Sequence, residues 1–153
     1  MAELLAQFPR PGRIDWIGIR PERRTKLVAL EQAQITEIGL TGDHRTKPGK
    51  RAVTLIQAEH LPVIAAMVEQ EQIDPAQLRR NIVVSGINLL ALKDRKFEIG
   101  NAILQGTGIC APCSRMEEEF GPGGYNAVRG HGGITAQVLT PGSINLGDHI
   151  STI

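Results

Sequence analysis

Apolar and polar residues alternate along Arg13-Ile-Asp-Trp-Ile-Gly-Ile-Arg20, which predicts a strand ended by Pro21. Lys26–Leu30 and Ala33–Ile38 carry apolar, β-branched positions without helical spacing and read as further strands. Ala52–Ile56 is a short apolar run that suits a buried strand. From Ala58 to Glu71 the spacing becomes helical through Leu61, Ile64, Ala65 and Val68, with Pro62 tolerated only in the first turn. A second short helix is expected from Asp74, as N-cap, through Pro75 at the first helical position to about Arg80. Asn81–Val84 is a strand. Phe97–Ile99 and Ala102–Gln105 form a hairpin around Gly100-Asn101. Gly133–Leu139 and Ser143–Gly147 are two more strands, set around the turn dipeptide Pro141-Gly142. Strands follow one another in hairpin-like succession rather than alternating with helices. The expected fold is a mainly β barrel with a few short helices inserted, not a Rossmann-type sheet.

Composition adds constraints. A chain of 153 residues suits one domain, expected over residues 1–153. Hydrophobic residues are 41% and charged residues 22%, so the chain has the means to bury a core and is not of disordered type. Aromatics are only Trp16, Tyr125, Phe8, Phe97 and Phe120, so the core must be aliphatic and nucleic-acid bases find few stacking platforms. Seventeen Lys and Arg against 16 Asp and Glu leave a net charge of +1, which argues against a global grip on nucleic acid. No apolar run approaches the roughly 18–20 residues that span a bilayer, and residues 1–13 lack the apolar stretch of a secretory signal. A cytoplasmic location and no membrane partner are expected.

Candidate chemistry concentrates at Gly108–Phe120. Both cysteines, Cys110 and Cys113, lie there, after a predicted strand. Ser114-x-x-Glu117 has the form of a capping box, which starts a helix at Ser114 and sets Cys113 just before it. Helix N–H groups and Arg115 favour a thiolate; Glu117, Glu118 and Glu119 oppose it. Four readings of the pair compete: buried free thiols, a zinc site, a thioredoxin-like exchanger, and a thiolate that ligates a soft metal or carries sulfur as a persulfide. Zinc needs two more ligands from His44, His60, His131 and His149, none at finger spacing. The exchanger lacks its alternating strand–helix context. A second constellation is rich in glycine and base: Gly121-Pro-Gly-Gly124 followed by Arg129-Gly-His-Gly-Gly133. Such backbone can approach an anion and Arg129 can clamp a phosphate. Gly42–Arg51 and Arg79-Arg80-Asn81 offer further sets, although a charge run is more often a solvated face. Walker, dinucleotide, nucleophile-elbow and HExxH motifs are absent.

Read together, Gly39-Leu-Thr-Gly-Asp43, Thr54–His60, Leu78-Arg-Arg-Asn-Ile-Val-Val-Ser-Gly-Ile-Asn-Leu89, Phe97–Gly100, Gly106-Thr-Gly-Ile-Cys-Ala-Pro-Cys113 and Gly130–Ile134 occur in one order that resembles the MOSC domain. This is the module shared with the C-terminal part of molybdenum cofactor sulfurases. The resemblance runs from about Ile17 to Asp148 and implies a barrel-centred β fold. It implies binding of the molybdenum cofactor (molybdopterin), or carriage of sulfur for metal centres, with Cys113 at the hallmark position as metal ligand or sulfur carrier. Arg79, Arg80, Asn81, Arg129, His131 and Gly132 fall where an anionic pterin phosphate could be held. The pyridoxal-phosphate domain of the sulfurases and an iron–sulfur cysteine set are not in this sequence. Sulfur is thus expected from a cysteine desulfurase in trans, or electrons from a reductase, with a molybdoenzyme as acceptor. The expected activity is cofactor or sulfur transfer, or reduction of N-hydroxylated compounds. The competing expectation is a noncatalytic binding or structural module with buried or zinc-bound cysteines.

Overall fold

The alternation of the first predicted strand is realised as β1 (Gly12–Ile19), which buries Gly12, Ile14, Ile17 and Gly18. A register shift between Ile14 and Trp16 lets the strand change its inward set partway. The structure, a computed structural model, describes residues 1–153. In chain order its elements are α1 (Ala2–Leu5), β1, β2 (Val28–Leu30), β3 (Gln32–Thr36), β4 (Gly39–Leu40), β5 (Val53–Gln57), α2 (Leu61–Met67), α3 (Pro75–Leu78), β6 (Ile82–Ser85), β7 (Lys96–Ile99), β8 (Ala102–Ile109), α4 (Ser114–Phe120), α5 (Gly124–Val128), β9 (Ile134–Thr140), β10 (Gly142–Asn145) and β11 (His149–Thr152). Single 3-10 turns occupy Ala58–His60 and Leu89–Leu92.

The main sheet runs β11-β7-β8-β9-β5-β6-β1, and β11 also pairs with β1. Seven strands therefore close into a barrel, with β2 attached outside β1. Every neighbouring pair is antiparallel except β5–β6, whose crossover carries α2 and α3. This is the mainly β barrel with inserted short helices that the patterning predicts. No helix is long and apolar enough to cross a membrane.

Two apolar clusters explain the continuous hydrophobic runs of β5 and β6. Leu55, Ile82 and Val84 face the barrel interior with Ile14, Ile17, Phe97, Leu104, Ile134 and Ile150. Ile56 and Val83 face outward into a second cluster with Ile64, Ile73, Leu78, Met116 and Val128. Both faces of these two strands are covered, so they need no polar side. The second cluster fastens α2, α3, α4 and α5 to the outside of the barrel.

Three local expectations change. The helix expected to reach Arg80 stops at Leu78, because Arg79 adopts a left-handed conformation at φ 60°. The two strands around Pro141-Gly142 do not pair with each other. β9 already has β5 and β8 as neighbours, so β10 leaves to join β3 and β4 in a separate small sheet. β4 and β11 lie outside the sequence expectation, and β11 completes the barrel.

Candidate functional site

β8 ends at Ile109 and delivers the chain into the loop Cys110–Cys113. Cys110 is 3% exposed, and its amide donates to the Gly133 carbonyl at 2.9 Å. Cys113 is exposed. The expected capping box does not form. Cys113 itself is the N-cap of α4, and its carbonyl accepts from the Met116 amide. Glu117 turns instead to the start of α5, accepting from the Gly123 and Tyr125 amides at 3.0 Å each. These two bonds hold the Glu117 carboxyl below its ordinary value.

Arg80 fixes the cysteine loop from below. It is 5% exposed; its Nε donates to the Gly132 carbonyl at 2.9 Å and its Nη1 to the Leu78 carbonyl at 3.0 Å. Its Nη2 donates to the Cys110 and Ala111 carbonyls at 3.4 and 3.3 Å. Gly132 must be glycine for this packing: a Cβ there would lie 2.5 Å from the Cys110 carbonyl oxygen and 2.9 Å from Arg80 Nη2. Asn81 is fully buried. Its Oδ1 accepts from the Thr54 amide and hydroxyl, and its Nδ2 donates to the Gly18 carbonyl and to Asp43.

Asp43 and Arg20 extend that network to the surface. Arg20 donates to Asp43 through Nε at 3.2 Å, Nη2 at 2.9 Å and its own backbone amide at 2.7 Å. Burial alone would raise the Asp43 carboxyl. The Arg20 bonds and charge, helped by Asn81, outweigh it and hold Asp43 below its ordinary value. Arg20 Nη1 also donates to the Arg79 carbonyl at 3.3 Å. The left-handed turn at Arg79 sends its side chain away from Arg80 and out to the Thr25 carbonyl, 2.7 Å from Nη1. Burial lowers the Arg79 guanidinium, and the like charges of Arg115 and Arg20 lower it further. Cys113 and Asp43 pull the other way.

Arg79 and Arg115 line a cavity of about 500 Å³ with Arg24, Thr25, Lys26, Leu27, Asp74, Ala76, Gln77, Glu118 and Glu119. Cys113 caps the helix that supplies Arg115, Glu118 and Glu119 to its wall. Two of the four non-glycine residues with positive φ, Arg24 and Arg79, are on this wall, at a conformational cost of order 1 kcal/mol each. The wall thus carries four cations, Arg24, Lys26, Arg79 and Arg115, beside three carboxylates, Asp74, Glu118 and Glu119.

The predicted site residues thus fall into groups. Arg79 lines the cavity, and Cys113 sits outside its wall, at the N-terminus of the helix that lines it. Arg80 and Gly132 anchor the cysteine loop, and Asn81 joins Asp43 beneath Arg79. Arg129 is exposed at the end of α5, and the His131 ring sits edge-on to His60, centroids 5.4 Å apart. Neither lines the cavity. Sequence reasoning missed Arg20, Arg24 and Lys26 and left Asp43 in a charged loop. The one local signal was Gly42-Asp43, where Gly42 adopts φ 92° and turns the carboxylate inward. No group of three or more His, Cys, Asp or Glu is placed to hold a metal ion.

The sequence matches the MOSC domain over residues 39–151. No curated protein sequence matches the chain. Among solved structures, the YuaD protein of Bacillus subtilis is similar with a TM-score of 0.81 and 20% identity, over 94% of this chain and 97% of that one. YiiM of Escherichia coli is similar with a TM-score of 0.75 and 21% identity, over 95% and 70%. YiiM of Geobacillus stearothermophilus is similar with a TM-score of 0.75 and 17% identity, over 94% and 75%. At these identities the likeness is one of fold. The match across most of the chain, on a barrel with this exposed cysteine at the end of β8, places the protein in the MOSC domain family.

Proposed function

We propose that this protein binds the molybdenum cofactor with the Cys113 thiolate as metal ligand, and serves in sulfur or cofactor transfer or in reduction of N-hydroxylated compounds. The observation that carries the reading is an exposed thiol at the N-terminus of a helix lining a cavity where four cations, none in an ion pair, stand with three carboxylates. The donor set fits the group: a soft thiolate for molybdenum, and Arg79, Arg115, Arg24 and Lys26 for a pterin phosphate. When bound, the group supplies a metal that changes oxidation state by two electrons. Arg79 and Arg115 bind and orient the phosphate. Arg129 and His131, at and after the end of α5 and outside the cavity wall, would be a further set of phosphate donors. Arg80, Asn81 and Gly132 act from behind, keeping Cys113 at the surface while Cys110 stays in the core. A cysteine desulfurase or a reductase in trans would supply sulfur or electrons, and a molybdoenzyme is the acceptor in the transfer version.

The test is elemental and pterin analysis of protein purified from a host that makes the cofactor, beside Cys113→Ala. About one molybdenum and one pterin per chain are expected, and both should be lost in the variant. Equal molybdenum in variant and wild type removes Cys113 as ligand. Zinc in place of molybdenum supports the noncatalytic module. A persulfide on Cys113, seen by intact mass after incubation with a desulfurase and cysteine, without pterin, selects sulfur carriage alone.

A further inference from the structure

Two segments remote in sequence are strongly basic. Residues 20–26 carry Arg20, Arg23, Arg24 and Lys26 against Glu22; residues 43–51 carry Arg45, Lys47, Lys50 and Arg51 against Asp43. The structure joins them at the base. Arg20 and Asp43 form the buried pair described above, and the His44 amide donates to the Arg20 carbonyl at 2.8 Å. Arg79 and Arg115 are fastened to the same place through the Thr25 and Arg24 carbonyls. The far end of the second segment is held by Thr107 of β8, whose hydroxyl donates to the Lys50 carbonyl.

These ten cations are ten of the 17 in the chain, whereas Glu22 and Asp43 are two of its 16 carboxylates. Seven cations and 14 carboxylates remain elsewhere in the chain, so within a net charge of +1 this linked set of residues carries near +8 and the others near −7. Adding Asp74, Glu118 and Glu119 from the cavity wall still leaves the set near +5. Of the ten cations only Arg20 is in an ion pair. Arg23, Arg24, Lys26, Lys47, Lys50 and Arg51 are exposed.

We infer that this collar is the docking surface for an acidic face of a folded protein, the one that brings sulfur or electrons to Cys113. The inference rests on the reading of Cys113 given above and names the surface its partner must present. Complementary charge steers such encounters and fixes their register. A nucleic-acid strand fits less well: neither basic segment contains Phe, Tyr or Trp to stack a base, and Glu118 and Glu119 interrupt the positive track. A membrane fits less well too, because residues 43–51 hold no large apolar side chain to insert.

The test uses the full chain and a fluorescein-labelled peptide of about eight Asp and Glu residues, compared with a Gly/Ser peptide of equal length. By anisotropy the acidic peptide should bind about tenfold tighter at about 0.05 M salt, with the difference closing near 0.5 M. Lys47→Glu/Lys50→Glu should abolish the preference, and Arg23→Glu/Arg51→Glu, which alters both segments, should do the same. Both pairs lie outside the cavity, and circular dichroism checks that each folds. Equal binding of the two peptides, or an unchanged preference in both variants, overturns the proposal. So does an RNA oligomer of equal charge, or a vesicle rich in phosphatidylserine, that displaces the acidic peptide at about a tenth of its concentration. A second arm gives each peptide an activated disulfide and follows release of thionitrobenzoate by Cys113, with Cys113→Ser as blank. The thiolate forms the mixed disulfide and the thiol proton passes to buffer. A collar-dependent binding preference with no exchange at Cys113 keeps the docking surface and rejects the site reading; exchange without preference does the reverse.

Discussion

Arg80 holds a full positive charge in a place 5% exposed, and backbone carbonyls rather than a carboxylate compensate it. The sequence puts Arg79, Arg80 and Asn81 side by side and offers all three as anion donors. Which of them faces outward is decided by one dihedral angle, the left-handed turn at Arg79, and neither composition nor spacing announces it. Arg80 and Asn81 are then buried behind the cysteine loop, and Arg79 is the half-buried member that lines the cavity. Replacing Arg80→Met keeps most of the volume and removes every donor, leaving the Gly132, Leu78, Cys110 and Ala111 carbonyls short of partners. The expected loss is about 3 kcal/mol in urea unfolding. The Cys110–Cys113 loop should loosen with it, so the Cys113 thiol should react with a neutral disulfide at an altered rate even where the barrel persists. A loss below about 1 kcal/mol with an unchanged rate would mean that the carbonyls find other donors and that Arg80 does not anchor the loop.

At the scale of elements, legibility followed how local the signal was. Asp74-Pro75-Ala76-Gln77 reads as a helix start and forms one, with the Ala76 amide on Asp74 and the Asp74 amide on Gln77. Gly100-Asn101 turns between β7 and β8 as its hairpin signal requires. Ser114-x-x-Glu117 has an equally good pattern and fails, because Glu117 finds the amides of Gly123 and Tyr125 once Gly121 and Gly123, both at positive φ, fold the chain back. That competing partner belongs to the next element. The exchange makes Glu117 the clamp between α4 and α5. Its folded pKa is depressed, so the clamp is present above the ordinary glutamate value and is lost as pH falls through the folded one. Amide exchange at Gly123 and Tyr125 should therefore be slow near neutrality and quicken in acid beyond the intrinsic trend. Glu117→Gln should show the fast behaviour throughout and no extra pH dependence. Protection that tracks only the intrinsic trend in the wild type would show that the carboxylate does not hold the corner.

For the whole molecule, the barrel class was legible from strands in succession, but its closure was not. β11 spans only His149–Thr152, with a single large apolar residue among polar ones, and no window that short identifies itself as a strand. Its assignment depends on two partners far away in sequence, β7 and β1, which it joins edge to edge. Ile150 is the inward residue of that seam and is fully buried, and Gly12 lies against it closely enough that a Cβ would come within 2.8 Å of the Ile150 methyl. Ile150→Ala should cost about 3 kcal/mol, whereas Ile153→Ala, at 65% exposure three residues away, should stay within about 0.5 kcal/mol. The location of the damage is the stronger test. Opening the seam removes the sole strand that bridges β7 to β1, so amide protection should fall first at Gly12, Arg13 and along β7. The β5–β6 pair, covered on both faces, should outlast it. Uniform loss of protection at all strands would instead mean that the barrel unfolds as one unit, with β11 contributing only buried area. The Cys113 loop hangs from β8, which pairs with β7 and β9. A seam-first opening would therefore reach one flank of the site while Arg80 still held the loop to β6.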